Sequence, residues 1–326
     1  MLREPSIRAD LVALIAWWRY LRGVRPTLVF AGTPKAGMLG IVAGFLAGVP
    51  CRVYHVRGLR LETSSGLSRL MYSMLERLVF GMATSALVVS QSLMDRLIEL
   101  RLAPMEKLQV LGGGSSNGVD LHRFYSNREI YEESAGSPVV INAGLPTVGF
   151  VGRLHRDKGI SVLIDASLEL SKRGVQHKLL VVGGADDGTA DEIARRLQRL
   201  SAPAVVTGAV EDVSPFYAQM DVLCLPSRRE GFPNVVLEAA AAGVPAVVSN
   251  ATGAIDSVVD GVTGHVFAMD DTEALADALE MMIRDERWRR RAGEAARQFV
   301  ERTFDRSIVQ GHVVEYLRIA AEGVDR

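Results

Sequence analysis

The chain contains only two cysteines, Cys51 and Cys224, among its 326 residues. Two thiols so far apart in sequence form neither a disulfide framework nor a metal-binding motif. Both lie beside apolar runs, which is typical of buried thiols in a reducing cytoplasm. The chain also lacks an apolar run of transmembrane length, because residues 11–18 and 41–50 are both too short to span a bilayer. We therefore expect a cytoplasmic location.

The net charge of only −1 gives the chain no overall signature of nucleic-acid binding. The charge is unevenly distributed, however. Residues 1–140 carry 16 Lys and Arg against 11 Asp and Glu, a net +5, whereas residues 141–326 carry 21 against 27, a net −6. A chain of 326 residues with a hydrophobic content of 48% accommodates two domains with separate cores. We expect the basic first domain to suit an anionic surface such as a membrane.

Residues 230–245 are the segment on which the functional interpretation depends. Pro233 suits the first position of a helix, the four alanines at 239–242 favour its continuation, and Gly243 indicates its end. A helix N-terminus attracts phosphate. Glu230 and Glu238 flank that position, and carboxylates accept hydrogen bonds from hydroxyl groups. An anion site between two carboxylates fits a nucleotide sugar, in which a diphosphate lies between two groups that carry hydroxyls. The alternative interpretation is that Glu230 is a surface loop residue and Glu238 a solvated helix residue.

Glu230 and Glu238 are separated by seven residues and preceded by Pro226-Ser227. This pattern resembles the E-x7-E signature of the retaining glycosyltransferase family 4, part of the group 1 glycosyl transferases. The resemblance implies an α/β protein of the GT-B fold, with two Rossmann-like parallel-sheet domains facing a cleft. It also implies that Glu238 binds the ribose hydroxyls of the donor and that Glu230 is a catalytic residue holding the transferred sugar. The turn that would hold the sugar with it contains Gly231, Phe232, Pro233 and Asn234.

A second basic motif follows the predicted strand at residues 147–152. Arg153 and Lys158 place two cations at a strand-to-helix turn, which favours a diphosphate clamp over a solvated basic loop. The segment resembles the family's G-R-x4-K-G motif. That resemblance implies that Arg153 and Lys158 stabilise the departing diphosphate and that Gly152 contacts the donor. The loop at residues 208–210 resembles the family's base-contacting turn, which implies that Val210 also contacts the donor.

The sequence has Asp186-Asp187 but no Asp-x-Asp, the pattern with which metal-dependent glycosyltransferases hold a divalent ion. We therefore expect no metal and no other cofactor. The two cations and a helix N-terminus would neutralise the diphosphate instead.

The first domain contains the candidate acceptor residues. Its strand–helix–strand rhythm predicts a parallel sheet, and Arg57 and Arg60 follow the strand at residues 51–56. Many relatives have a histidine at the position of Arg57. The two arginines, with Lys35 in an earlier loop, could hold acceptor phosphates, but solvated surface arginines are equally compatible with the sequence. We expect the helix predicted at residues 7–22 to pack on the sheet rather than to contact a membrane.

The resemblance also predicts the domain limits. We expect an acceptor-side domain at 1–125, a linker at 126–145, a nucleotide-sugar domain at 146–306 and a closing helix at 307–326 that returns to the first domain. Relatives have further strand–helix units before the strand matching residues 26–29. On the order of 60 residues of the usual first domain are therefore expected to be missing here.

Two segments favour the bacterial capsular and exopolysaccharide branch of the family, namely residues 33–37 and 116–120. We expect retaining transfer from a UDP-sugar to a saccharide or polyprenyl-linked acceptor, with peripheral contact at the inner membrane and no nucleic-acid partner. Two alternatives stay open. One is a nucleotide-sugar epimerase of the same fold, and the other is a truncated protein that binds nucleotide sugars without catalysis.

Overall fold

The computed structural model describes residues 7–32, 34–124, 144–185 and 190–323. The chain forms two compact units, a first unit of Met1–Asn117 with Ser307–Arg326 and a second unit of Gly118–Arg306. This division falls before Gly118, whereas the predicted limit of the first domain is residue 125. The physical reason is that Val119 pairs with Asp305 and accepts a hydrogen bond from Arg306, which ties this segment to the second unit. Most of the predicted linker lies outside the described residues.

The first unit contains a four-stranded parallel sheet of order β1-β2-β3-β4. Both faces of this sheet are covered, as the mostly buried side chains of β2 require. One face packs against α1 and α2 through a cluster containing Leu21, Ala43 and Val49, and the other packs against α12 through Cys51, Val53 and Leu87. The helices and strands are α1 (Ile7–Val24), β1 (Leu28–Gly32), α2 (Pro34–Leu46), β2 (Cys51–Val56), α3 (Gly66–Met82), β3 (Ser85–Val88), α4 (Gln91–Glu99), β4 (Leu108–Gln109) and α12 (Arg306–Glu322).

The second unit contains a six-stranded parallel sheet of order β10-β9-β8-β5-β6-β7. Its strands are almost uniformly apolar, which is typical of a parallel sheet buried on both faces. The core includes Phe150, Leu163 and Leu279, contributed by a strand and by helices that pack on the sheet. The elements are α5 (Leu121–Phe124), β5 (Thr147–Val151), α6 (Ile160–Lys172), β6 (Lys178–Val182), α7 (Ala190–Leu197), β7 (Ala204–Val206), α8 (Ser214–Tyr217), β8 (Val222–Leu225), α9 (Asn234–Ala241), β9 (Ala246–Ser249), β10 (Gly264–Phe267), α10 (Thr272–Arg284) and α11 (Glu286–Thr303).

Within the described ranges, no helix combines the length and apolar character needed to cross a membrane.

A carboxyl group, that of Glu76, is buried in the interior of the first unit. The Tyr54 hydroxyl donates a hydrogen bond of 3.2 Å to Glu76 Oε2, and both side chains are buried. Burial raises the pKa of Glu76 from its ordinary value near 4.5 to about 7, although the bond from Tyr54 opposes the shift. The protein therefore holds this carboxyl partly neutral at physiological pH.

Replacing Glu76 with glutamine is expected to stabilise the protein increasingly as the pH rises. The raised pKa means that the stability contributed by the neutral carboxyl is complete below pH 4.5 and is lost as the pH rises through about 7. The glutamine still accepts the bond from Tyr54 but does not ionise. Urea unfolding at several pH values should show Glu76→Gln exceeding the wild type by on the order of 3 kcal/mol at alkaline pH. Parallel pH profiles for the two proteins would contradict this account of Glu76.

Candidate functional site

The strand order of the second unit identifies where a ligand would bind. β5 and β8 are hydrogen-bonded neighbours, although β6 and β7 lie between them in sequence. The winding of the sheet therefore reverses between β5 and β8. In open parallel sheets, ligands bind beyond the carboxyl ends of the strands at such a reversal. The loops that leave these two strands, residues 152–159 and 226–233, contain most of the donor residues predicted from the sequence.

The loop after β5 is held tightly against the loop after β8. Gly159 has a φ of 67°, and a Cβ atom there would lie 1.9 Å from the carbonyl oxygen of Pro226. Only glycine fits this position, because any side chain would collide with backbone and adopt a strained conformation. Asp157 adds polar links between the loops. Its carboxylate accepts hydrogen bonds of 3.1 and 3.2 Å from the Arg229 guanidinium, and its carbonyl accepts a bond from the Arg228 N–H.

Two of the predicted catalytic residues lie in direct contact. Lys158 Nζ lies 2.6 Å from Glu230 Oε1, and the two side chains are 25% and 11% exposed. Arg153 is exposed in the same loop after β5. The structure therefore brings together the two ends of the predicted site, the basic loop and the first glutamate of the E-x7-E motif. The Glu230 carboxylate therefore positions Lys158 beyond the end of β5, where the ammonium group can also face an incoming anion.

Contacts with residues 252–253 and with the interior hold the turn between the two glutamates in place. Gly253 has a φ of 76°, and a Cβ atom there would lie 2.1 Å from the Gly231 carbonyl oxygen. The Glu230 N–H donates to the Thr252 carbonyl oxygen at 3.1 Å. Phe232 is buried and anchors the turn in the interior. These contacts fix the backbone that enters α9.

The helix after this turn begins one residue later than the sequence predicts. Pro233 lies immediately before α9 in an extended conformation, with a ψ of 104°, and Asn234 is the first helical residue. Proline suits either position because it has no N–H group to satisfy. Gly243, with a φ of 74°, follows the end of the helix as predicted.

Glu238 projects from α9 and is held by a buried phenol. The Tyr217 hydroxyl donates a 2.8 Å hydrogen bond to Glu238 Oε2, and Tyr217 is completely buried. Burial raises the pKa of Glu238, while the bond from Tyr217 and the positive charge of Arg123 oppose the shift. Tyr217 thus fixes one carboxylate oxygen and leaves Oε1 able to accept a further hydrogen bond.

Sequence reasoning missed two neighbours of Glu238. Tyr217 lies in the short helix α8, where a tyrosine is usually a core residue, so nothing in the sequence signals its role. Arg123 donates a 2.9 Å hydrogen bond to Asp212 Oδ1 and exerts an electrostatic attraction on Glu238. The predicted domain limit placed Arg123 in the other domain, which hid its proximity to Glu238.

Two further predicted donor residues lie at neighbouring strand ends. Gly152 follows β5, and its N–H donates to the Val182 carbonyl oxygen at 2.9 Å. Val210 is half-buried in the loop after β7. That loop is tied to the end of β6 by a 3.0 Å hydrogen bond from the Gly183 N–H to the Gly208 carbonyl oxygen.

The three predicted acceptor residues have separate partners within the first unit. Lys35 forms a 2.6 Å ion pair with Asp10. Arg57 donates a 3.0 Å hydrogen bond to Ser116 Oγ, and Arg60 lies 6.0 Å from the ring centre of Tyr72.

Arg57 also lines a cleft of about 420 Å³ in the first unit. The cleft lies at the carboxyl ends of β1 and β2 and is bounded by Phe30, His55, Ser116 and Val313. His55 stacks on Phe30, and burial together with the charge of Arg57 lowers its pKa to about 4. A neutral, buried ring of this kind suits a structural role for His55.

No group of three or more His, Cys, Asp and Glu side chains suited to hold a metal ion occurs in the part of the chain that the structure describes. Asp186-Asp187 lies outside it.

Comparisons with known proteins connect this geometry to a family. Residues 145–285 match the family model for glycosyl transferases group 1, and residues 1–114 match the glycosyl transferase 4-like domain. The capsular polysaccharide biosynthesis glycosyltransferase CapM of Staphylococcus aureus is 36% identical over 310 residues, which cover 95% of this chain and 81% of that protein.

The UDP-Gal:alpha-D-GlcNAc-diphosphoundecaprenol alpha-1,3-galactosyltransferase of Escherichia coli is 28% identical over 87% of this chain and 73% of its own length. Among solved structures, Anabaena Alr3699/HepE in complex with UDP superposes with a TM-score of 0.78 at 23% identity, covering 94% of this chain and 81% of that one. This likeness confirms the predicted fold class of two parallel-sheet α/β domains.

Proposed function

The chain belongs to the group 1 glycosyl transferases and is a glycosyltransferase, and from this premise we propose its substrates and the roles of its residues. The proposed donor is a UDP-sugar, and the proposed acceptor is a lipid-linked or growing saccharide in cell-surface polysaccharide biosynthesis. The relatives support both choices. CapM is named for capsular polysaccharide biosynthesis, the Escherichia coli enzyme is named for UDP-Gal and a diphosphoundecaprenol acceptor, and HepE was solved with UDP.

The observation that carries the proposal is the contact between Lys158 and Glu230 at the reversal of the second sheet. It supports the proposal because a cation suited to a diphosphate and a carboxylate suited to sugar hydroxyls lie side by side at the same strand ends. Glu238, held by Tyr217 on α9, lies further along the same motif and suits the ribose. The proposed contacts thus follow the order of groups in a nucleotide sugar, with Glu230 at the sugar, Lys158 at the diphosphate and Glu238 at the ribose.

The proposed reaction retains the configuration of the transferred sugar. The acceptor hydroxyl attacks the anomeric carbon on the face from which the diphosphate departs, and an oxygen of the leaving phosphate takes the acceptor proton. Arg153 and Lys158 stabilise the negative charge that develops on the diphosphate. Glu230 and residues 231–234 hold the sugar during transfer. With a lipid-linked acceptor, the proposed place of the reaction is the cytoplasmic face of the membrane.

Transfer is expected to proceed without a divalent metal ion, because the cations of the loop after β5 perform the charge neutralisation that a metal would supply. The test incubates the protein with a UDP-sugar and an undecaprenyl-diphosphate-linked saccharide, in EDTA and in added magnesium or manganese. Equal rates of lipid-linked product are expected. A strict requirement for either metal would contradict the proposed charge neutralisation, and no product with any UDP-sugar would contradict the proposed donor.

A further inference from the structure

The helix α3 turns its most apolar side toward solvent. Six large apolar side chains recur along it at helical spacing, so they form one continuous stripe. Their exposed fractions range from 38% to 85%. The opposite side of the helix is anchored in the first unit by buried Glu76, Val79 and Phe80. The members of this α3 stripe are Leu67, Leu70, Met71, Met74, Leu75 and Leu78.

A stripe of this size is unusual on a protein surface in contact only with water. Single exposed apolar residues are common, but a contiguous row that extends over three turns marks an interaction site. The stripe runs from Leu67 to Leu78, and it therefore extends over about 17 Å of the helix. Its partner must offer an extended apolar environment.

The charges on α3 identify the chemistry of that partner. Arg69 and Arg77 are exposed on the helix, and Arg60 is exposed in the turn before it. The only acidic residue of α3 is Glu76, which is buried against Tyr54. Every exposed charge on the helix is therefore positive, and its surface combines apolar and cationic groups.

We infer that the α3 stripe is the surface by which this protein lies on an anionic lipid bilayer. An amphipathic helix with exposed Leu and Met side chains and a cation at the border of the stripe, here Arg77, binds in the plane of such a membrane, its apolar side among the acyl chains and its cation among the headgroups. The inference deepens the proposed function, because a lipid-linked acceptor would lie in that same membrane.

A second copy of the chain fits the α3 stripe less well. A two-fold dimer through this surface would place the same patch of both subunits face to face. The arginines of one copy would then approach those of the other with no exposed acid on the helix to compensate. An anionic bilayer supplies both the apolar depth and the opposite charge.

Vesicle binding by the whole protein tests the inference. Wild-type protein should co-sediment with vesicles of phosphatidylcholine containing about 30% phosphatidylglycerol and bind phosphatidylcholine alone far more weakly. The double variant Leu70→Glu/Met74→Glu should lower the partition coefficient at least about tenfold, because it places two acids in the middle of the stripe. The matched control Val262→Glu/Met281→Glu changes two exposed apolar residues of the second unit and should bind as the wild type does.

Two further measurements distinguish a membrane-binding stripe from a dimer interface. Replacing Arg77, at the border of the stripe, with alanine should weaken binding to the anionic vesicles by about fivefold. Arg69→Ala, on the opposite side of the helix, should have a smaller effect. Wild-type protein that ignores the vesicles, or a Leu70→Glu/Met74→Glu variant that binds them unchanged, overturns the inference. Light scattering that shows a wild-type dimer dissociated by the same double variant would assign the stripe to a second copy instead.

The proposed function can be tested independently of the membrane inference. Leu70→Glu/Met74→Glu should bind UDP as the wild type does and transfer sugar to a short-chain, water-soluble acceptor. Vesicle binding without transfer to any acceptor would contradict the proposed function alone. Transfer without vesicle binding would contradict the membrane inference alone.

Discussion

Replacing Lys158 with alanine is expected to lower kcat by about 10²- to 10³-fold while the protein remains folded. The Lys158 ammonium lies at the carboxyl end of β5 and contacts Glu230 at 2.6 Å. In the proposed reaction it faces the diphosphate as the bond to the sugar breaks, so its charge stabilises the transition state more than the bound donor. Arg153, exposed in the same loop, should give a loss of similar size when replaced with alanine.

The variant Arg156→Ala is the matched control for this prediction. Arg156 is exposed in the same short 3-10 turn, Arg156–Lys158, but it has no place in the proposed clamp. Steady-state kinetics should show its kcat within about threefold of the wild type. A loss as large as that of Lys158→Ala would indicate general damage to the loop, and an unchanged kcat in Lys158→Ala would remove this residue from the mechanism.

Loss of the ion pair has a second effect in Lys158→Ala, and a double variant separates it from the loss of the cation. Lys158→Ala leaves the Glu230 carboxylate uncompensated at the position proposed for the donor, and repulsion of the diphosphate would then add to the loss. Combining Lys158→Ala with Glu230→Gln removes that repulsion. If repulsion contributes, donor binding should recover in part in the double variant, while kcat stays low.

Replacing Glu238 with glutamine should weaken donor binding by about 1–3 kcal/mol, the cost of losing charged hydrogen bonds to the ribose. The glutamine keeps the size of the side chain and still accepts the bond from Tyr217. Titration calorimetry with UDP measures the effect directly. In the wild type, affinity should fall as the pH is lowered through the raised pKa of Glu238, because the protonated carboxyl loses its charge.

Tyr217→Phe provides the comparison for Glu238. It removes only the hydroxyl that positions Glu238 Oε2, so its effect on UDP affinity should be smaller than that of Glu238→Gln. UDP affinity that is unchanged in Glu238→Gln would contradict the ribose assignment, whatever the behaviour of Tyr217→Phe.

The parts of the site that could be predicted from the sequence are those fixed by local spacing. The E-x7-E motif and the basic loop after β5 each require only a strand, a turn and a helix in succession. The parallel sheets also follow from the alternation of strands and helices. The contact between Lys158 and Glu230 joins two such motifs, and it depends on the strand order of the sheet, which local spacing does not encode.

Other features depend on long-range packing and could not be predicted. Tyr217 and Arg123 reach Glu238 through tertiary contacts, and Arg123 belongs to a segment that the predicted domain limits placed in the first domain. The α3 stripe has the periodicity of any amphipathic helix. Periodicity alone does not tell whether Leu70 and Met74 face a core or the surface, because that depends on which neighbours the helix meets.

The stoichiometry of UDP release and sugar transfer tests the central claim most directly. Purified protein is incubated with a labelled UDP-sugar in the presence and absence of a lipid-linked saccharide acceptor, and UDP and labelled product are both quantified. A glycosyltransferase releases one UDP for each sugar transferred and does so only with the acceptor. Conversion of the UDP-sugar without an acceptor would indicate an epimerase, and donor binding without conversion under either condition would indicate a protein that only holds the nucleotide sugar.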